Sequence, residues 1–176
     1  MNKTKSTWYV LYVRSKQENK VHQVLCEHGL ESFLPLVKTI RKWSDRKKVL
    51  YQPLFPSYIF VNLKSKNEFN RALSIKGACS YIKFGSEYAK VSNDEIRKIK
   101  ILNNANDLDH IETDGTRFLK GDYHKITYGA LNGLECEILN GDNNNKIVVR
   151  IDSIRQNIIA TLPKVFLSKQ NLKKIA

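Results

Sequence analysis

Residues 8–13 (WYVLYV) are apolar or β-favouring without interruption, the pattern of a strand covered on both faces. Polar positions take over at Arg14, and Val21, Val24 and Leu25 then recur at helical spacing until Gly29. A helix is predicted there, opened by a capping box in which Ser15 takes an orphan amide and Glu18 reaches back. The same Ser-x-x-Glu signal precedes Phe69, Ala72 and Leu73 as Ser65 and Glu68, and precedes Ile96, Ile99 and Leu102 as Ser92 and Glu95. Two more helices follow from it. Strand-like runs cover residues 32–40, 48–52, 58–63 and 80–84, with the charged stretch RKWSDRKK at 41–48 as a hairpin tip between the first two. The order β-α-β-β-β-α-β-α predicts an α+β fold, a ferredoxin-like α/β sandwich with a mostly antiparallel sheet and its helices on one side.

Apolar content falls away over residues 103–115, which are rich in Asn, Asp and Thr and read as a linker. Short strands are expected beyond it, near residues 123–128, 134–139, 146–151, 158–162 and 165–167, separated by Gly- and Asn-rich turns such as 141–145. Strands so short and so many predict a small SH3-like β-barrel, because closure removes exposed edges. The expected domains are residues 5–105 and 117–176, joined by a linker at 106–116.

Charge gives these halves different tasks. The net charge is +13, yet residues 1–106 hold 20 Lys and Arg against 8 acidic residues, while residues 107–176 hold 10 against 9. A basic first domain attracts polyanions by neutralising phosphates and releasing counterions; a plain solvated basic face is the alternative. Cys26, Cys79 and Cys136 form no Cys-x-x-Cys pair, so they read as reduced, mostly buried thiols rather than as a disulfide framework or a zinc site. No apolar stretch is long enough to cross a bilayer, and a cytoplasmic protein is expected. His22, His28, His110 and His124 are scattered, and neither a nucleophile motif, a phosphate-cradling glycine loop nor an acidic metal pair accompanies them. The reading is a binding protein, not an enzyme, with no cofactor and no metal.

The segment PLFPSYIFV at 53–61 carries the most information. Pro56 sets the turn into a strand whose alternation puts Tyr58 and Phe60 on one face and Ile59, Val61 and Leu63 on the other. With the aliphatic set in the helix-covered core, the two rings are expected on an open face, where large aromatics call for a partner. Ordinary core aromatics beneath a loop are the competing reading.

The run at 8–13, the helix after it, FLP at 33–35, the basic hairpin with Trp43 and PLFPSYIFV together resemble the amino-terminal domain of NusG-type transcription elongation factors. Downstream, KGD at 120–122 and GALNGLE at 129–135 resemble the KOW motif of that family's carboxy-terminal barrel. The likeness spans roughly residues 7–170, and its wording is nearest the specialised RfaH and UpxY antiterminators, the latter of capsular polysaccharide operons. It implies an apolar pocket that grips the clamp helices of the largest RNA polymerase subunit, at positions Tyr12, Phe55, Tyr58 and Phe60. It further implies contact with non-template DNA, for which Arg14, Lys16, Lys20, Arg71 and Lys76 are the candidates.

The hairpin charges Arg41, Lys42, Arg46, Lys47 and Lys48 are placed to reach upstream duplex DNA, where a basic tip neutralises phosphates without a fixed geometry. Trp43 reads as an anchor of that hairpin. Two positions depart from the family pattern: Cys136 stands where the KOW motif carries another glycine, and residues 68–71 lack the threonine-rich motif that touches the second large polymerase subunit. The implied protein is a monomeric elongation and antitermination factor, operon-specific, whose barrel recruits a further protein such as a ribosomal protein or a termination factor. A general NusG-like factor and a free-standing RNA- or DNA-binding protein are the alternatives.

Overall fold

The computed structural model describes residues 6–42, 47–105, 108, 111–114, 122–127, 129–138, 146–162 and 172–174, with the backbone alone at 40–42, 47, 48, 112, 114, 122 and 172–174. Compactness divides the chain into two units, 1–93 and 94–176. That division falls ahead of the composition change at 103–115.

In the first unit, β1 (Thr7–Val13) is followed by α1 (Glu18–Glu27), β2 (Glu31–Phe33), β3 (Leu36–Lys42), β4 (Lys47–Pro53) and β5 (Tyr58–Leu63). Then come α2 (Lys66–Leu73), β6 (Ala78–Tyr81) and three two-residue strands, β7 (Lys83–Phe84), β8 (Glu87–Tyr88) and β9 (Lys90–Val91). The main sheet runs β2-β5-β1-β6 with β9 also on β1, and every pairing is antiparallel. Alternation along β1 and β5 sends Leu11, Val13, Ile59, Val61 and Leu63 into one core with Val21 and Leu25 of α1 and Ala72 of α2. Both helices therefore cover the same face of the sheet. Among the described residues β3 and β4 pair with each other alone, as a separate two-stranded ribbon.

The single strand expected over 32–40 is two strands, broken at buried Leu34 and Pro35. Proline brings no N–H to a ladder, and beyond it the chain leaves the sheet to form the ribbon. The capping box expected at Ser15 does not form: α1 begins at Glu18 after an N-cap Gln17 that makes no side-chain cap bond. Lys16 holds φ 65°, a left-handed turn that ends the strand before the helix starts. At α2 the signal works: Ser65 Oγ accepts the Glu68 N–H at 3.2 Å, and Glu68 Oε2 accepts the Lys64 N–H at 2.7 Å.

The second unit contains α3 (Asn93–Asn104), β10 (Ile111–Asp114), β11 (Asp122–Ile126), β12 (Glu135–Ile138), β13 (Lys146–Ile151), β14 (Gln156–Thr161) and β15 (Leu172–Lys174). Their antiparallel order is β10-β14-β13-β12-β11-β15, a linear path in which the described residues of β10 and β15 do not pair with each other. Glu95 of α3 accepts the Ser153 N–H at 3.0 Å, and Lys98 lies 3.7 Å from Glu135, which ties the helix to this sheet. The stretch read as linker thus contains the end of α3 and a strand, because Ile111 and Thr113 find partners in Ala160 and Ile158 of β14. Gly129 and Gly133 take φ 69° and 83° around a short turn. The strand expected at 165–167 and the turn at 141–145 lie outside the described residues.

Candidate functional site

The register pairs Tyr12 of β1 with Tyr58 of β5, at the end of the sheet where α1 begins. Their rings stand 6.2 Å apart at 73°, an edge-to-face contact, with Tyr12 41% exposed and Tyr58 half-buried. Phe60, two residues along the same face, is fully buried, and Phe55 is 2% exposed. The open ring face expected from alternation is therefore narrower than the sequence implies. Phe55, from the loop before β5, meets the Phe60 ring at 5.5 Å, and Phe33 of the edge strand β2 meets it at 6.1 Å. These two rings cover Phe60, leaving Tyr12 and Tyr58 outermost.

A residue that sequence reasoning misassigned holds this arrangement. Ser57, between Pro56 and Tyr58, takes φ 64°, and its N–H donates to buried Glu18 Oε1 at 2.9 Å. Its carbonyl accepts the Val13 N–H at 2.9 Å. Glu18, read as a capping residue, thus pins the turn that presents Tyr58. The one sequence signal for it is an acidic residue at a helix start, which names no distant partner.

Among the basic candidates, Arg14, Lys16, Lys20, Arg71 and Lys76 are all exposed. The Arg14 N–H donates to the Gly77 carbonyl at 2.9 Å, so the turn before α1 lies against the loop before β6, bringing together the backbone at Arg14, Lys16 and Lys76. Gly77 permits this approach: a Cβ there would stand 2.5 Å from Gln17 Oε1 and 2.9 Å from Val21 Cγ2. Arg71 does not join that group, since its Nη2 donates to the His28 carbonyl at 2.6 Å, at the other end of α1. On the ribbon, positions Arg41 and Lys42 pair with Lys48 and Lys47 at the end where β3 leads into β4; Trp43 and Arg46 lie outside the described residues. Nearer its base, Val49 and Tyr51 are 47% and 65% exposed, the two most exposed large apolar side chains among the described residues.

Arg150 holds fully buried Glu137 through two nitrogens, one at 2.9 Å, and that hydrogen bond keeps the guanidinium firmly charged. Cys136 is buried, and its thiol is pushed up to about 12 by burial and then by the Glu137 charge. Cys26 and Cys79 are exposed, contrary to the expectation of mostly buried thiols: Cys26 follows core-facing Leu25 on α1, and Cys79 lies at the register shift of β6 against β1. His22 Nδ1 lies 2.7 Å from Ser32 Oγ, and burial holds its pKa below 6.5. Among the described residues no three His, Cys, Asp or Glu side chains gather as a metal site, and no helix is long and apolar enough to cross a membrane.

The described residues thus form an antiparallel α/β unit followed by an all-antiparallel sheet, with aromatic and cationic side chains among those left exposed. The NusG family model, described as transcription termination factor nusG, matches residues 6–100. The chain belongs to the NusG family, a family of transcription factors rather than enzymes. Among solved structures, the chain is similar to a NusG of Thermotoga maritima, solved for its domain interaction, with 22% identity, 98% of each chain covered and a TM-score of 0.51. Two conformations of the MjSpt4:Spt5 complex also align, at 10% and 11% identity, 96% of this chain with 98% and 97% of theirs, both with a TM-score of 0.33.

Proposed function

We propose that the chain is an operon-specific elongation and antitermination factor of the RfaH and UpxY type, working in the cytoplasm as a monomer. Its amino-terminal domain, residues 5–105, docks on the clamp helices of the largest polymerase subunit through Tyr12 and Tyr58, with Phe55 and Phe60 as the buried support beneath them. The observation that carries this reading is the Tyr12–Tyr58 pair, two half-open rings fixed by strand register on a rigid sheet. Such a platform suits helix-in-groove docking, in which a few aromatic residues dominate the affinity. Bound across the clamp, the factor favours the closed, processive polymerase over the open state, and its differential affinity sets the size of that shift.

Arg14, Lys16, Lys20 and Lys76 approach non-template DNA from the α1 side, with Arg71 beyond them, and the ribbon charges Arg41, Lys42, Arg46, Lys47 and Lys48 approach upstream duplex. The absence of acidic residues from β3 and β4 supports that part of the reading. The strands from β10 onward form the SH3-like KOW barrel that recruits a further protein. Support comes from the antiparallel strand order and the two positive-φ glycines of the KOW-like turn.

A polymerase pull-down with full-length Tyr12→Ala and Tyr58→Ala variants tests the docking surface. Each is expected to weaken capture roughly tenfold or more, and retention at the parent level removes the assignment. Polymerase occupancy across the genome with and without the gene separates the specialist from a general factor: read-through confined to one operon is expected.

A further inference from the structure

The opposite end of the β1–β5 pair, where Thr7 faces Leu63, opens into a cavity of about 500 Å³ between the sheet and the start of α2. It lies on the helix-covered face, away from Tyr12 and Tyr58, and its size is that of small-ligand sites. Tyr9, Phe69 and Tyr88 supply its aromatic lining, and Lys64 and Lys66 its cations.

The rings form one braced group. Phe69 stacks on Tyr81 with centroids 3.9 Å apart, while Tyr9 and Tyr88 meet Phe69 edge-on at 5.4 and 5.0 Å. The Tyr81 hydroxyl donates to the Phe69 carbonyl at 2.8 Å, locking α2 to β6. Tyr88 remains 37% exposed, so the group ends in a ring with room beside it. A cluster of this kind ordinarily suits a cation. Here a cation is disfavoured, because Lys64 and Lys66 line the cavity and Lys83 Nζ already sits 4.4 Å from the Tyr88 centroid. The Glu68 carboxylate, in the first turn of α2, is held by the Lys64 N–H and offsets the partial positive charge of that helix end, so Lys64 and Lys66 are the cations of the cavity. Flat rings beside fixed positive charge select a ligand that is itself flat and anionic.

We propose that this cavity binds an unpaired nucleotide of a single strand, its base against Tyr9, Phe69 and Tyr88 and its phosphate against Lys64 and Lys66. An acidic peptide shares the charge but offers no planar face to most of the lining. The strong basic excess of residues 1–106 further favours a polyanion.

The test uses the full chain and a single strand of about ten nucleotides carrying one 2-aminopurine, whose fluorescence falls when the base stacks on an aromatic ring. Quenching on binding is expected for the parent, and both its loss and roughly tenfold weaker binding for Tyr88→Ala. Tyr88→Leu, which keeps apolar packing, is expected to lose the quench while retaining the parent's unfolding midpoint. Lys64→Gln and Lys66→Gln are each expected to lower the salt slope by about 0.7. Equal affinity for a strand abasic at that position, or an unchanged quench in both Tyr88 variants, overturns the site. Stronger competition by an acidic peptide than by unlabelled strand overturns the ligand class, and equal competition by a mononucleotide overturns the assignment to a strand.

Discussion

Glu18 carries more of the presented surface than its place at a helix start suggests. Its carboxylate is buried and accepts the N–H of Ser57, 39 residues away, in a turn that a non-glycine residue holds at positive φ. Glu18→Ala leaves that amide without an acceptor and is expected to destabilise the chain by roughly 1–3 kcal/mol, read as a lower urea midpoint, with Glu18→Gln restoring most of it. His22 gives the fold a mild acid sensitivity. Burial lowers its pKa below 6.5, so the unfolded chain takes the proton more readily than the folded one. The stability gained by keeping the ring neutral is full above about 6.5 and is lost as pH falls through the lower folded value. Urea midpoints followed downward in pH are expected to fall less steeply for His22→Asn than for the parent.

At the scale of elements, the local signals differ in how far they could be trusted. Ser65 caps α2 as its spacing announces, while Glu68 reaches back one residue beyond the cap, to the Lys64 N–H, because both partners are close neighbours in the chain. The identical spacing at Ser15 fails, because Lys16 turns left-handed and Glu18 is drawn to a distant amide. Gly77 had no local signal beyond being a glycine in a loop. Its φ of 103° and the absent Cβ admit the Gln17 side chain, which joins the turn before α1 to the loop before β6. Gly77→Ala is expected to cost more than about 1 kcal/mol, and to shift the amide resonances of Arg14 and Lys16 as well as those beside the substitution. The strand break at Leu34 and Pro35 falls at the proline, yet only the pairing of β5 with β2 settled where the sheet ends and the ribbon begins.

The whole molecule distributes its cations unevenly, and their effect is additive only where they share a surface. Arg14 and Lys16 on one segment and Lys76 on another meet through the Arg14–Gly77 hydrogen bond. Neutralising all three to Gln is expected to reduce the salt slope of single-strand binding by about 2, measured by fluorescence anisotropy across salt concentrations. Arg71→Gln, at the other end of α1, is expected to change it less. The aromatic surface follows the same logic. Strand alternation correctly separates Ile59, Val61 and Leu63 from Tyr58 and Phe60, because the period of a strand is a local property. It could not foresee that Phe33 and Phe55 cover Phe60.

The positions of β1, α1, β5 and α2, the aliphatic core face, the Ser65 cap and the basic bias of the first half were legible in residue order, whereas the split at Leu34 and Pro35 and the short strands β8 and β9 were not. Each legible feature rests on periodicity, neighbouring residues or counting, and those survive in one dimension. Tertiary structure alone decided that Glu18 clamps Ser57, that Tyr12 and Tyr58 stay outermost while Phe55 and Phe60 sink, and that residues 111–114 pair with β14. It likewise gathered Tyr9, Phe69 and Tyr88 around one cavity, with buried Tyr81 stacked on Phe69. Those outcomes depend on which distant side chains compete for the same buried volume and hydrogen-bonding groups, and that competition is resolved only when the chain closes on itself.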